Sequence, residues 1–173
     1  MKALSKLKAE KGIWMVDAPT PKMGHNDLLI KIKKTAICGT DMHIYHGVMD
    51  QRVNPPQTIG HEMSGTVTQI GSDVTDFQLG DRVVVRPLDW CGECPTCKAG
   101  LTHICQNLKF MGFDSPGAFQ SNWTVKARTL HKLPANVDLK KGALIEPLSV
   151  ACHDIRRSRL KAGEKAVVLG GGP

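Results

Sequence analysis

Aromatic residues are scarce in this chain of 173: three Trp, one Tyr and four Phe, 5% of the total. So few rings argue against a surface that stacks nucleic-acid bases. No stretch approaches the roughly 20 apolar residues of a membrane helix. The amino-terminal Met1-Lys2-Ala3-Leu4-Ser5-Lys6-Leu7-Lys8 also lacks the apolar core of a secretory leader. A cytoplasmic protein without a membrane partner is the expectation. Internal repeats and low-complexity tracts are missing too, which sets aside solenoid and tail-like architectures.

What is present suits an ordinary globular domain. Hydrophobic residues make up 41% of the chain, enough to bury a core without crosslinks. The 23 basic and 16 acidic residues leave a net charge of +7. Its lysines are spread along the chain, often alternating with apolar residues, so the charge reads as a solvated basic surface compatible with an anionic ligand such as a nucleotide.

The pattern is mainly β with a few helices. Short β-like runs at Ala3–Lys8 and Gly12–Asp17 flank a turn at Ala9–Gly12. Leu28–Ile37 alternates as a half-buried strand with Ile30 and Ile32 on its apolar face, and it delivers Cys38 at its end. Thr40–Tyr45 fits one or two helical turns stopped at Gly47. Further strands are expected at Thr66–Ile70, Arg82–Val85, Ala118–Ala127 and Leu130–Leu133, which together suggest a barrel or sandwich. Helical spacing of Leu144, Leu148, Ala151 and Ile155 predicts one helix across Lys141–Arg159.

Two constellations carry chemistry. Cys91, Cys94, Cys97 and Cys105 stand close enough in sequence to bring four thiolates to one tetrahedral zinc, with Gly92 and Pro95 bending the loop. Such a site is coordinatively closed and therefore structural. Disulfides are the competing reading, disfavoured in a reducing compartment. The second constellation joins Cys38, beside Gly39, to Gly60-His61-Glu62: a thiol, an imidazole and a carboxylate, the three side-chain types that bind zinc. Any one alone reads as an ordinary buried or hydrogen-bonded residue, and the combination points to a catalytic metal.

With Cys38-Gly39-Thr40-Asp41, Gly60-His61-Glu62-Met63-Ser64-Gly65, Gly80-Asp81-Arg82-Val83, the cysteine lobe and Glu146-Pro147-Leu148 in view, the chain resembles the zinc-dependent medium-chain alcohol dehydrogenases, including polyol dehydrogenases and L-threonine 3-dehydrogenases. The resemblance implies a GroES-like β-barrel catalytic domain over residues 1–160. It makes Cys38 and His61 ligands of a catalytic zinc, with Glu62 and Glu146 as carboxylates that complete or exchange at the site. It makes Asp41 the residue that fixes the His61 tautomer, and Thr40 and His43 a proton relay. The implied reaction is hydride transfer from a secondary alcohol, a small-molecule polyol or sugar, to NAD or NADP.

Residues 161–173 end in Val167-Val168-Leu169-Gly170-Gly171-Gly172-Pro173, an apolar run entering a glycine turn. That is how the fingerprint of a Rossmann domain begins, with Gly170 and Gly172 approaching the cofactor, but the third glycine and the helix after it are missing. The expectation is therefore a fold truncated at its first Rossmann strand, without cofactor binding or turnover by itself, and a homo-oligomer at full length. L-threonine is the alternative substrate, favoured by the first 45 residues. Against it, threonine dehydrogenases carry a histidine where this chain has Leu88, and Glu146–Ala151 reads more like a polyol dehydrogenase. A zinc-ribbon module binding nucleic acid is the alternative from another class; it explains the quartet and the charge but not Cys38 or Gly60-His61-Glu62.

Overall fold

The computed structural model describes residues 1–171. The first half runs β1 (Lys2–Lys6), β2 (Trp14–Asp17), β3 (Asp27–Thr35), α1 (Gly39–Tyr45), β4 (Gln57–Thr58), β5 (Met63–Ile70) and β6 (Arg82–Val85). The second half runs β7 (Leu88–Asp89), α2 (Pro95–Lys98), β8 (Lys109–Phe110), β9 (Asn122–Lys126), β10 (Leu130–Lys132), α3 (Leu139–Gly142) and α4 (Ile145–Ser158). Three antiparallel sheets result, ordered β2-β1-β4, β10-β6-β5-β3-β9 and β7-β8. None of the described helices is long and apolar enough to cross a membrane.

The main core lies under the five-stranded sheet, where Leu28, Ile30, Met63, Val67, Val83, Val85, Trp123 and Val125 pack together. Strand β3 departs from simple alternation. Leu28, Leu29 and Ile30 are all buried, because β3 is a central strand whose pairing with β5 shifts register between Leu29 and Ile30. The indole N–H of Trp123 donates to Pro116 O at 2.9 Å, so the largest core side chain leaves no polar group unpaired.

Three expectations need correction. The helical stretch is two helices. Asp138 caps α3 by accepting from the Lys141 N–H at 2.8 Å, and Gly142 sits so tightly on Leu133 that a Cβ there would lie 2.7 Å from Leu133 Cδ1. The chain then restarts as α4 after Leu144. The strand expected over Ala118–Ala127 is laddered only at Asn122–Lys126; before it, Gly117, Ala118 and Phe119 donate to Thr58 O, Gly60 O and Ile59 O at 2.8 Å each. Finally, Val167–Leu169 forms no strand and lies exposed. An apolar strand needs a ladder neighbour, and among the described residues none pairs with it.

Gly60 turns the chain into His61 with φ of +90°, and a Cβ on it would lie 2.3 Å from the Phe119 ring. Gly60→Ala is expected to cost at least about 1–2 kcal/mol from the backbone alone, with the ring clash added. Chemical denaturation checks this; an unchanged midpoint would refute it.

Candidate metal centre

Two clusters of metal-ligating side chains assemble, and they are the two that the sequence singles out. Cys38, His61 and Glu62 bring their ligand atoms within 4.8 Å of one another, as do Cys91, Cys94, Cys97 and Cys105.

The four cysteines are all free thiols, held between β7 and β8 by a loop containing α2. Sγ of Cys105 is 3.5 Å from that of Cys91 and 3.9 Å from that of Cys94, while Cys91 and Cys97 are 4.0 Å apart. A tetrahedron of Zn–S bonds needs sulfur atoms about 3.8 Å apart, and a disulfide about 2 Å, so the lobe has the shape of a zinc site and not of a bridge. Backbone amides aim at the sulfurs: Glu93 and Cys94 N–H donate to Cys91 Sγ at 3.4 Å, and Asn107 N–H donates to Cys105 Sγ at 3.3 Å. The Thr96 hydroxyl and backbone amides pull the Cys94 thiol down to about 5, whereas burial pushes Cys97 up to about 12. Crowded sulfurs cannot all ionise unaided; a cation among them removes that conflict.

The second cluster sits where β3, α1 and the turn before β5 converge. Cys38 stands at the amino end of α1, its Sγ 3.6 Å from the Thr40 hydroxyl, and its N–H donates to Asp41 Oδ2 at 2.9 Å. The other oxygen of Asp41 faces His61 Nδ1 at 3.9 Å, and both of these buried atoms lack a hydrogen-bond partner. With Nδ1 turned to Asp41, Nε2 is the ring atom left for a metal, the carboxylate–histidine arrangement of many zinc sites. Phe110 and Phe113 stack 4.5 Å apart, and both meet the His61 ring edge-on, at 5.3 and 5.5 Å. Neither aromatic stood out in the sequence, where they look like scattered core residues.

The electrostatics of this cluster fit a divalent cation. Burial raises the Asp41 carboxyl to about 6, with the charge of Glu62 adding to the shift, and burial raises Glu62 as well. His61 is lowered to about 4 by burial, so the ring is neutral near pH 7 and can act as a ligand. No Lys or Arg pairs with Asp41 or Glu62 among the described residues. One thiolate and one carboxylate would balance zinc with a neutral imidazole beside them.

Glu146, in the first turn of α4, is outside the set of three, yet it senses it. Burial and then the Glu62 charge raise its carboxyl to about 7. Upstream, the Arg82 guanidinium donates to Val137 O at 2.9 Å, Pro134 O at 3.0 Å and Ala135 O at 3.1 Å, tying down the loop before α3. Thr40 is half-buried near the thiol, and His43 is exposed on the same helix. Gly170, at φ of +102°, lies in the exposed carboxy-terminal stretch, and Gly172 lies outside the described residues.

Carboxyls raised by burial hold protons that a cation must displace. Zinc binding to the Cys38–His61–Glu62 cluster, with the quartet already filled, is therefore expected to release more protons at pH 6 than at pH 8. At pH 6 Asp41 and Glu146 are still substantially protonated, at pH 8 both are ionised, and the His61 ring is neutral at either pH. Calorimetric titration in buffers of different protonation enthalpy counts the protons; an equal count at both values would refute the assignment.

Comparison with known proteins agrees with this geometry. The model of the alcohol dehydrogenase GroES-like domain matches residues 24–135. A 2-dehydro-3-deoxy-L-galactonate 5-dehydrogenase of Pseudoalteromonas atlantica is 76% identical over 156 residues, covering 90% of this chain and 45% of that protein. An L-threonine 3-dehydrogenase of a Shewanella species is 47% identical over 175 residues, covering 100% of this chain and 51% of that one. Among solved structures, a zinc-binding dehydrogenase of Sinorhizobium meliloti bound to NADP superposes with a TM-score of 0.82 at 36% identity, covering 94% of this chain and 46% of that chain. The chain thus spans about half the length of the curated relatives it matches. The domain model spans the strands and loops that bring the two clusters together, and by that match the chain belongs to the alcohol dehydrogenase GroES-like domain family, within the medium-chain dehydrogenases that its sequence resembles.

Proposed function

We propose that residues 1–160 are the zinc-holding catalytic domain of an NAD(P)-dependent dehydrogenase that oxidises a secondary hydroxyl of an acidic sugar, and that residues 161–173 open its nucleotide-binding domain. The observation that carries this reading is the Cys38–His61–Glu62 cluster, with His61 and Glu62 buried and the Glu146 carboxyl close enough to feel the Glu62 charge. The acidic sugar is favoured over a neutral polyol because the relative with 76% identity is named for a sugar acid.

Cys38 and His61 would hold the zinc, with Glu62 and Glu146 in competition for the remaining position. When present, the metal supplies Lewis acidity to the hydroxyl being oxidised. Asp41 keeps the His61 ring in the tautomer that leaves Nε2 free, and the phenylalanine pair walls that ring off from water. Thr40, beside the Cys38 sulfur, would accept the hydroxyl proton while passing its own to exposed His43, which would hand it to solvent. The described residues at the carboxy-terminal end form neither the strand nor the helix of a dinucleotide site, so no step is assigned to them.

Oxidation of L-threonine is the second reading, resting on the relative with 47% identity. A zinc-loaded chain carrying these residues at the relatives' full length should reduce NAD or NADP with 2-dehydro-3-deoxy-L-galactonate in preference to L-threonine and galactitol. A preference for threonine selects the second reading. Failure with every secondary alcohol refutes both.

A further inference from the structure

A cleft of about 740 Å³ separates the end of β6 and the cysteine lobe from α4. It adjoins the metal cluster, since Phe110 lines it and meets the His61 ring edge-on at 5.3 Å, and Glu146 lines it as well. Its polar lining is lopsided. Arg86 and three histidines, His103, His131 and His153, face a single acid, Glu146.

Arg86 is the unusual member. Its Nη2 donates to the Thr102 hydroxyl at 3.1 Å, and its guanidinium lies over the Trp90 ring at 4.4 Å, so two lobe residues hold it in place. Its Nε–H is buried beyond a ligand's reach, its Nη1 donates to none of the described residues, and no carboxylate pairs with the guanidinium among the described residues. A held guanidinium with unused donors is costly in a folded protein unless an anion meets it. Leu88, two residues on, gives the same wall an apolar surface that suits a carbon chain.

We propose that this cleft is the substrate's anion subsite, in which Arg86 is the specificity-determining residue that binds the carboxylate of an acidic sugar while the hydroxyl to be oxidised lies at the metal cluster. The proposal rests on the acidic-sugar reading above for its ligand class. It also gives the structural lobe a role in recognition, because Trp90 and Thr102 on the lobe orient the arginine.

Calorimetric titration of the zinc-loaded chain with 2-dehydro-3-deoxy-L-galactonate, galactitol and galactitol 1-phosphate tests it without requiring turnover. The acid is expected to bind at least tenfold more tightly than galactitol. Arg86→Gln should weaken the acid by roughly ten- to a hundredfold, the range for a hydrogen bond to a charged group, and leave galactitol unchanged. Arg86→Lys, which keeps the charge without the fork, should recover part of the loss. Zinc content shows whether the lobe survives each substitution. Equal binding of acid and galactitol overturns the proposal, as does acid binding that is indifferent to Arg86→Gln and Arg86→Lys, or a preference for the phosphate. Lack of dehydrogenase activity in the full-length form would instead refute the catalytic reading, which this titration does not measure.

Discussion

Cys38→Ser and His61→Ala are each expected to leave one zinc per chain where the unaltered protein is expected to hold two, one for each cluster, and to abolish turnover in the full-length dehydrogenase. The reasons differ. Serine offers no thiolate, so the remaining ligands supply too little charge and softness to retain zinc. Alanine at 61 removes the one neutral ligand and leaves Asp41 and Glu62 buried together, two carboxyls already raised by burial. Cys97→Ser provides the complementary result. It empties the lobe, so protease cleavage within residues 91–105 should accelerate, while the Cys38 cluster keeps its metal. Elemental analysis of the purified variants reads all three. Two zincs retained in Cys38→Ser, or near-normal turnover in either ligand variant, would sink the assignment.

Lys6→Ala is expected to be the most destabilising single change away from the metals. The Lys6 side chain is fully buried, its ammonium 2.9 Å from Asp50 Oδ1, and it donates to Ile44 O at 2.9 Å and to Glu10 O. It therefore ties β1 to the end of α1 and the loop beyond. Removing it strands Asp50, whose side chain is largely buried, and breaking one partner of a buried ion pair costs about 3–5 kcal/mol. For a protein of this size that lowers the melting temperature by roughly 10 °C. Replacing both partners by apolar residues, as in Lys6→Met with Asp50→Leu, should be much milder, because no charge is left unpaired. Thermal unfolding of the single and double variants distinguishes the two outcomes. A loss below about 1 kcal/mol for Lys6→Ala would show that water replaces the lysine freely.

Much of the site was legible before any coordinates. Cys38, His61, Glu62 and the lobe cysteines are ligand-type residues, several of them beside turn glycines; the four cysteines gather as their short spacing suggests, and Cys38 joins His61 and Glu62 through the fold. Most strands were visible for the same reason, since β-branched runs and glycine turns are local signals. The split between α3 and α4 was not, because the helical spacing of the apolar residues runs on without a break, while Gly142 fits a site on Leu133 that has no room for a Cβ. Nor was the loss of the strand at Val167–Leu169, whose apolar run reads as a strand but finds no ladder neighbour among the described residues.

Residue types and spacings by themselves determined the ligand chemistry of the cysteine lobe and the mainly β architecture, because a compact ligand loop and turn formation depend on neighbours in sequence, while the family followed from the resemblance of the motifs taken together. Tertiary structure alone decided which distant groups meet. It put Lys6 against Asp50, set Phe110 and Phe113 on the His61 ring, and left the Arg86 guanidinium without a carboxylate in a cleft beside the metal cluster. Arg86 carries one faint local signal, a charge directly after the apolar end of β6. Buried partners of this kind have no periodic signature, since their energies depend on desolvation and on what the rest of the fold brings alongside.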